Sequence, residues 1–270
     1  MNKGRNVDKF TFIDLFAGIG GFHQALKVLG GRCVAACEID NNARLTYSAN
    51  HYVPDGLFFK DVRNLPIVKL PEHQILCAGF PCQPFSISGK QKALDDGRSE
   101  VLDILFEIIS QKHPKIVILE NVKHIKHVSK GVVFCYVIST LERMGYNVSY
   151  KLLNSKNFGV PQNRERWIFV GVLGDKKYEF KLDVKRTPPL KEVLEEDGDF
   201  TFLEESYTLI DAPKTQKSGL KFVGYRNKKL RTNGVREGTN HLSRVHKQPN
   251  RIYSINGIHP TIPSQESSGR

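Results

Sequence analysis

From Phe10 to Gly174, short apolar runs of strand length alternate with stretches of helical period. "FTFIDLFAG" predicts a strand, and "GGFHQALKVLG" predicts a helix that glycines open and Gly30-Gly31 close. A second strand in "RCVAACEID" precedes a helix in "NNARLTYSANH" and a short apolar stretch in "GLFFKDV". The apolar strand "HQILCAGF", the helix "SEVLDILFEIISQ", the strand "KIVILENV" and the helix "GVVFCYVISTLERMG" follow, and the strands "NVSYKLLN" and "RWIFVGVLG" complete the series. Continuous apolar strands alternating with helices predict an α/β fold with a mainly parallel, doubly wound sheet covered on both faces. After Gly174 the alternation stops, so a smaller second lobe is expected from about residue 175.

Length and charge sharpen this picture. At 270 residues the chain can bury a full core. The polar start "MNKGRNVDKF" and the absence of any run of about 18 apolar residues predict a cytoplasmic protein with no secretion signal. The five cysteines (33, 37, 77, 82 and 135) are odd in number and scattered, which fits reduced thiols. Cys33 and Cys37 have no second pair and no His cluster after them, so they are read as buried strand residues and no metal site is expected. The net charge is +12, and its placement is uneven. Between Lys214 and Ile252, eleven Lys and Arg face one acid, Glu237, giving this segment +10. The block is interleaved with Phe222, Tyr225, Asn227, Asn233, His241 and His246, a composition suited to a polyanion, and nucleic acid is the expected partner.

Ligands of open α/β sheets sit outside the carboxyl ends of the strands, and three such ends carry unusual residues. "DLFAGIGGF" supplies a tight turn at Gly18, Gly20 and Gly21 that lets a ligand approach the backbone at a helix start. Its match to a dinucleotide fingerprint fails at His23, where a third glycine is required. Glu38 ends the next strand, at the distance expected of a carboxylate that accepts from ribose hydroxyls, so a nucleoside cofactor is implied. "CAGFPCQPFS" holds Cys82 between Pro81 and Pro84, and "ILENV" delivers Glu120 and Asn121.

Taken in order, "DLFAGIGGF", "GFPCQPFS", "ENV" and "QNRERWIFVG" resemble the cytosine-carbon-5 DNA methyltransferase family of bacterial restriction-modification systems, over residues 10–173 and again from Arg251 in "RIYSINGIHPTI". The resemblance implies a Rossmann-like methyltransferase fold, S-adenosyl-L-methionine as cofactor and double-stranded DNA as substrate. It implies a catalytic domain over 1–174, a target-recognition region over 175–250 and the start of a return segment over 251–270. Cys82 would add to cytosine carbon 6, because carbon 5 alone is too poor a nucleophile. Glu120 would stabilise the charge that develops toward ring nitrogen 3. Pro81 and Pro84 restrict the backbone and orient the thiol. Arg164 and Arg166 would contact the flipped cytosine or its flanking phosphate and help lower the thiol pKa, with Gln162 supporting their loop. Phe16, Gly18, Gly20 and Pro81 would line the cofactor cleft, Glu38 would bind the ribose, Asp61 would meet the adenine amino group, and Leu102 would pack near the methionine part. The stretch "SISGKQKALDDGRSE" would close over a base rotated out of the duplex.

The chain stops at Arg270, short of the Gly-Asn segment with which the family normally finishes the cofactor pocket. The expectation is a truncated product or a second polypeptide that supplies the segment. Transfer RNA in place of DNA, or a non-catalytic DNA-binding relative, are the alternative readings. The latter is expected to lose the nucleophile or the acid, and this chain keeps Cys82, Glu120 and Arg164. A nicotinamide dehydrogenase is disfavoured by His23 and by the Cys-Glu pairing.

Overall fold

The computed structural model describes residues 8–81, 99–199, 206–213, 215–227, 238–239 and 241–262, with backbone only at 99 and 100. The strands are β1 (Phe10–Leu15), β2 (Gly31–Cys37), β3 (Phe58–Phe59), β4 (Ile75–Ala78), β5 (Ile116–Val122), β6 (Tyr146–Asn154), β7 (Gln162–Asn163), β8 (Glu165–Leu173), β9 (Tyr207–Leu209), β10 (Phe222–Arg226), β11 (Arg251–Tyr253) and β12 (His259–Pro260). The α-helices are α1 (Gly21–Val28), α2 (Asn41–Asn50), α3 (Ser99–Lys112) and α4 (Val132–Arg143). Each strand and helix expected up to Gly174 is present, with its ends inside the quoted stretch or within a residue or two of it.

The chain divides into two compact units, the first made of 1–152 and 166–181, the second of 153–165 and 182–270. In the first, a seven-stranded sheet has the order β3-β2-β1-β4-β5-β8-β6. The pairs β2–β3, β1–β2, β1–β4 and β4–β5 are parallel, and β8 runs antiparallel to β5. This is the α/β, Rossmann-like methyltransferase fold. The chain leaves β1 toward β2 on one side and returns to β4 on the other. The crevice where connections diverge therefore lies between β1 and β4.

The core explains the apolar runs. All of Ile13, Leu15, Leu76, Val117, Leu119 and Phe169 are fully buried on the sheet, as are Leu105, Ile108 and Ile109 of α3. Helix α4 buries Val133, Phe134, Val137, Thr140 and Leu141, a stripe at helical spacing. Asp40 caps α2 by accepting from the Ala43 amide at 2.7 Å. Cys33 and Cys37 are buried in β2.

The second unit holds a three-stranded antiparallel sheet, β11-β10-β9, and a short parallel pair of β12 with β7. Two of the aromatic residues interleaved with the basic block have a different role from the one expected. Phe222 and His246 are buried, and the His246 ring stacks on Tyr225 at 4.0 Å and on Phe222 at 5.9 Å. With Leu220, Val245 and Ile258 they make a small core, because a lobe this rich in Lys and Arg has few other apolar groups to bury. Among the described residues, no helix is long and apolar enough to cross a membrane.

Candidate active site

The turn after β1 is built from left-handed backbone. Phe16 has φ 54°, Gly18 56° and Gly20 95°. A side chain on Gly20 would drive its Cβ to 2.3 Å from the His51 ring, so only glycine fits. At Gly18 a Cβ would meet nothing within 4 Å, so the space in front of this backbone is open. The Gly18 amide donates to Glu38 Oε2 at 2.7 Å, while Glu38 Oε1 accepts from the Asp40 amide at 2.8 Å. Glu38, half-buried at the end of β2, is thus fixed by two backbone donors, which orients its carboxylate. Arg44 ties the neighbouring strand ends together: its guanidinium donates to the carbonyls of Glu38, Phe58 and Phe59 and lies 4.0 Å from the Phe58 ring centroid.

Beside Glu38, Ile39, Phe59, Lys60, Asp61 and Asn64 line a cavity of about 350 Å³. Asp61 begins a short 3-10 turn and accepts from the Arg63 amide and from its guanidinium, contacts that hold its carboxyl below the usual range. Leu102 is buried on α3 within the main core.

The ends of β1, β4 and β5 converge. Gly79, just past β4, is placed so that a Cβ there would lie 3.7 Å from the Phe16 carbonyl and 3.8 Å from Glu120 Oε2. The first and third strand ends therefore meet over the segment that leads to Cys82. Pro81 is exposed at the start of that segment. Cys82 itself, Pro84 and the stretch to Arg98 lie outside the described residues. Glu120 Oε1 accepts from Arg166 Nε at 2.7 Å, and both side chains are about four-fifths covered. The pairing follows from the antiparallel β5–β8 register, which sets Val122 against Arg166. In the second unit, Gln162 forms β7 and Arg164 begins the turn into β8.

Two asparagines hold this machinery, and neither had been given a role. Asn121, 1% exposed, donates from Nδ2 to the Phe80 carbonyl at 2.9 Å and accepts from the Val122 amide through Oδ1, so it clamps the approach to Cys82. Asn154 accepts from the Arg164 and Lys156 amides through Oδ1, at 3.1 and 3.3 Å, and donates from Nδ2 to Asn163 Oδ1 at 2.8 Å. It fixes the backbone of the "QNRER" turn.

Behind the Gly-rich turn lies a buried polar cluster. His23, the residue that breaks the dinucleotide fingerprint, is 4% exposed, stacks on His51 at 4.4 Å and shares a 2.8 Å hydrogen bond with the Tyr47 hydroxyl. Burial, then the positive neighbours His51 and Lys27, push its pKa down to about 4. Asp14 is fully buried, and neither carboxylate oxygen makes a hydrogen bond of full geometry among the described residues. Burial drives its pKa well above the ordinary range, the nearby Glu38 charge adds to this, and the dipoles of the His23 amide and Tyr47 hydroxyl oppose it without overcoming it.

A folded-state pKa raised above the unfolded one means that the folded chain holds the extra proton. Stability from Asp14 is therefore complete below about pH 4 and falls as pH rises through its folded pKa, by about 1.4 kcal/mol per unit. His23 acts in the opposite sense, with stability lost as pH falls from about 6.5 to 4. Asp14→Asn removes only the first effect. Urea titrations at pH 5 and pH 8 are expected to show the variant gaining on the wild type at the higher pH; a gap that does not change with pH would contradict a buried, proton-holding Asp14.

Residues 10–268 match the family described as C-5 cytosine-specific DNA methylase. The chain belongs to this family. Among curated members, it is 40% identical over 208 residues to the Type II methyltransferase M.NgoBI of Neisseria gonorrhoeae, which covers 77% of this chain and 64% of that protein. It is 33% identical over 264 residues to the Type II methyltransferase M.HhaI of Haemophilus parahaemolyticus, covering 96% of this chain and 76% of the relative. The chain thus spans under two thirds of the length of the first of these relatives. The solved structure of Schizosaccharomyces pombe (S. pombe) Dnmt2 methyltransferase superposes with a TM-score of 0.59 at 22% identity, over 75% of this chain and 65% of that one, and shares the fold.

Proposed function

We propose that the chain is a DNA cytosine-5 methyltransferase using S-adenosyl-L-methionine. The observation that carries the reading is the convergence at Gly79, where the ends of β1 and β5 approach the segment leading to Cys82. Membership of the C-5 cytosine-specific family supports it, as do the names of the Type II relatives, which also favour a restriction-modification role.

The residues present fit the cofactor. Gly18 faces open space, Glu38 is held by two amides with its carboxylate half-exposed, and the adjoining cavity has the size of a small ligand site. Phe16, Gly18, Gly20, Pro81 and Leu102 would surround it, Glu38 would take the ribose hydroxyls, and Asp61 the adenine amino group. When bound, the cofactor supplies an electrophilic methyl group.

The chain's own residues prepare the base. The thiolate of Cys82 adds to cytosine carbon 6, and the electron pair of the carbon 5–carbon 6 double bond moves toward nitrogen 3. Glu120 meets that charge with a proton or hydrogen bond, and carbon 5 becomes nucleophilic. Loss of the carbon-5 proton later expels the thiolate. Arg166 keeps Glu120 in place through the 2.7 Å contact. Arg164, with its backbone fixed by Asn154, would contact the base or its flanking phosphate. Residues 1–174 would act as the catalytic domain, residues 175–250 as the target-recognition region, and the +10 segment from Lys214 to Ile252 would bind the DNA. A cytoplasmic location in contact with the chromosome belongs to the same reading.

The test is transfer of labelled methyl groups from S-adenosyl-L-methionine to duplex DNA and to transfer RNA. Label in DNA as 5-methylcytosine is expected. Label confined to transfer RNA would replace the substrate, and label in neither under any condition would contradict the reading.

A further inference from the structure

Directly after β5, the segment "NVKHIKHVSK" exposes Lys123, His124, Lys126, His127 and Lys130, while Ile125 is fully buried beneath them. No Asp or Glu occurs from Asn121 to Leu141, so this segment carries one sign of charge. The +10 segment belongs to the other unit, so this cluster is distinct from it in sequence.

The ridge is braced. Trp167 Nε1 donates to the Lys123 carbonyl at 3.2 Å, and the Lys126 ammonium lies 5.3 Å from the Trp167 ring centroid and 5.9 Å from that of Phe134. Contact with aromatic faces limits the freedom of the lysine and lowers the entropy lost when an anion binds. Trp167 adjoins Arg166, the partner of Glu120. The charged ridge thus follows directly from β5, the strand that carries the proposed catalytic acid, and is braced by β8 through Trp167.

We propose that this ridge is a second phosphate-binding surface for duplex DNA, gripping the backbone beside the target cytosine. The proposal rests on the methyltransferase reading. A base delivered to Glu120 stays bonded to its own backbone, so its flanking phosphates must lie about one nucleotide away. Lys123 is three residues from Glu120, at most about 10 Å along the chain, and a lysine stem reaches further. Phosphate contacts here carry no sequence information and hold the strand while the nucleotide is rotated out.

The experiment compares the full chain with a Lys123→Gln, Lys126→Gln, Lys130→Gln variant and with its Lys→Arg counterpart, measuring DNA affinity against salt on a duplex with 5-fluorocytosine and scoring covalent adduct in parallel. Each lost phosphate contact lowers the log-log salt slope by about 0.9, so three lower it by about 2.7. Between 50 and 200 mM salt the wild type then loses about 40-fold more affinity than the Gln variant. The Arg variant should keep the wild-type slope, which separates loss of charge from damage to the fold. A Gln variant with an unchanged slope, on DNA that the wild type traps covalently, overturns the ridge and leaves the methyltransferase reading intact. A wild type that neither binds nor traps the duplex, or a slope change seen with transfer RNA alone, overturns both.

Discussion

Glu120→Gln is expected to lower kcat for methyl transfer to duplex DNA by about 100- to 10,000-fold, the range for loss of a positioned acid. KM for DNA and the thermal midpoint should change little. The substitution is nearly isosteric, and the amide oxygen can still accept from Arg166 Nε, so the 2.7 Å tether and the β5–β8 contact survive. The amide can donate a hydrogen bond toward nitrogen 3 but cannot release a proton to it. If Glu120 served only to hold Arg166, the same variant would keep kcat within about threefold. Steady-state kinetics on one duplex therefore separates the two roles.

The parts of this protein that were legible in the sequence are those where local chemistry and position agree. Apolar runs ending in Gly18, Pro81 and Glu120 mark strand ends, because a continuous apolar strand is buried on both faces and its polar residues collect where it stops. The direction of β8 was not legible, since an antiparallel strand at this place in the sheet is as apolar as its parallel neighbours. Partners distant in sequence were also hidden. Asn121 acts on a carbonyl 41 residues away, Asn154 on an amide 10 residues away, and Arg44 on carbonyls 14 and 15 residues away. No spacing in the sequence marks such contacts, because the acceptor or donor is backbone and has no residue type of its own. Two aromatic residues of the basic block misled for a related reason. Phe222 and His246 lie beside lysines in sequence but turn inward, because the small sheet needs a core of its own.

The buried Asp14 was equally silent. Within "FTFIDLFAG" it reads as a polar break in a strand, and only its full burial beside Glu38, Tyr47 and His23 pushes its pKa well above the ordinary carboxylate range. Backbone strain, a buried acid and a two-donor carboxylate thus all gather at the turn after β1. Such a concentration is usual where a fold is held in shape for a ligand.

The account turns on Cys82 as the nucleophile, and it is tested most directly by trapping. Fluorine at carbon 5 of the target cytosine takes the place of the proton that must leave. Addition of the thiolate and arrival of the methyl group then leave a carbon–sulfur bond that cannot be released. With S-adenosyl-L-methionine, the chain and any polypeptide it requires for turnover should form a complex with 5-fluorocytosine DNA that resists denaturation. Mass spectrometry of the digested adduct should locate the nucleotide on Cys82, and Cys82→Ser should abolish it. An adduct that maps to another residue, or that persists in the serine variant, would contradict the central claim.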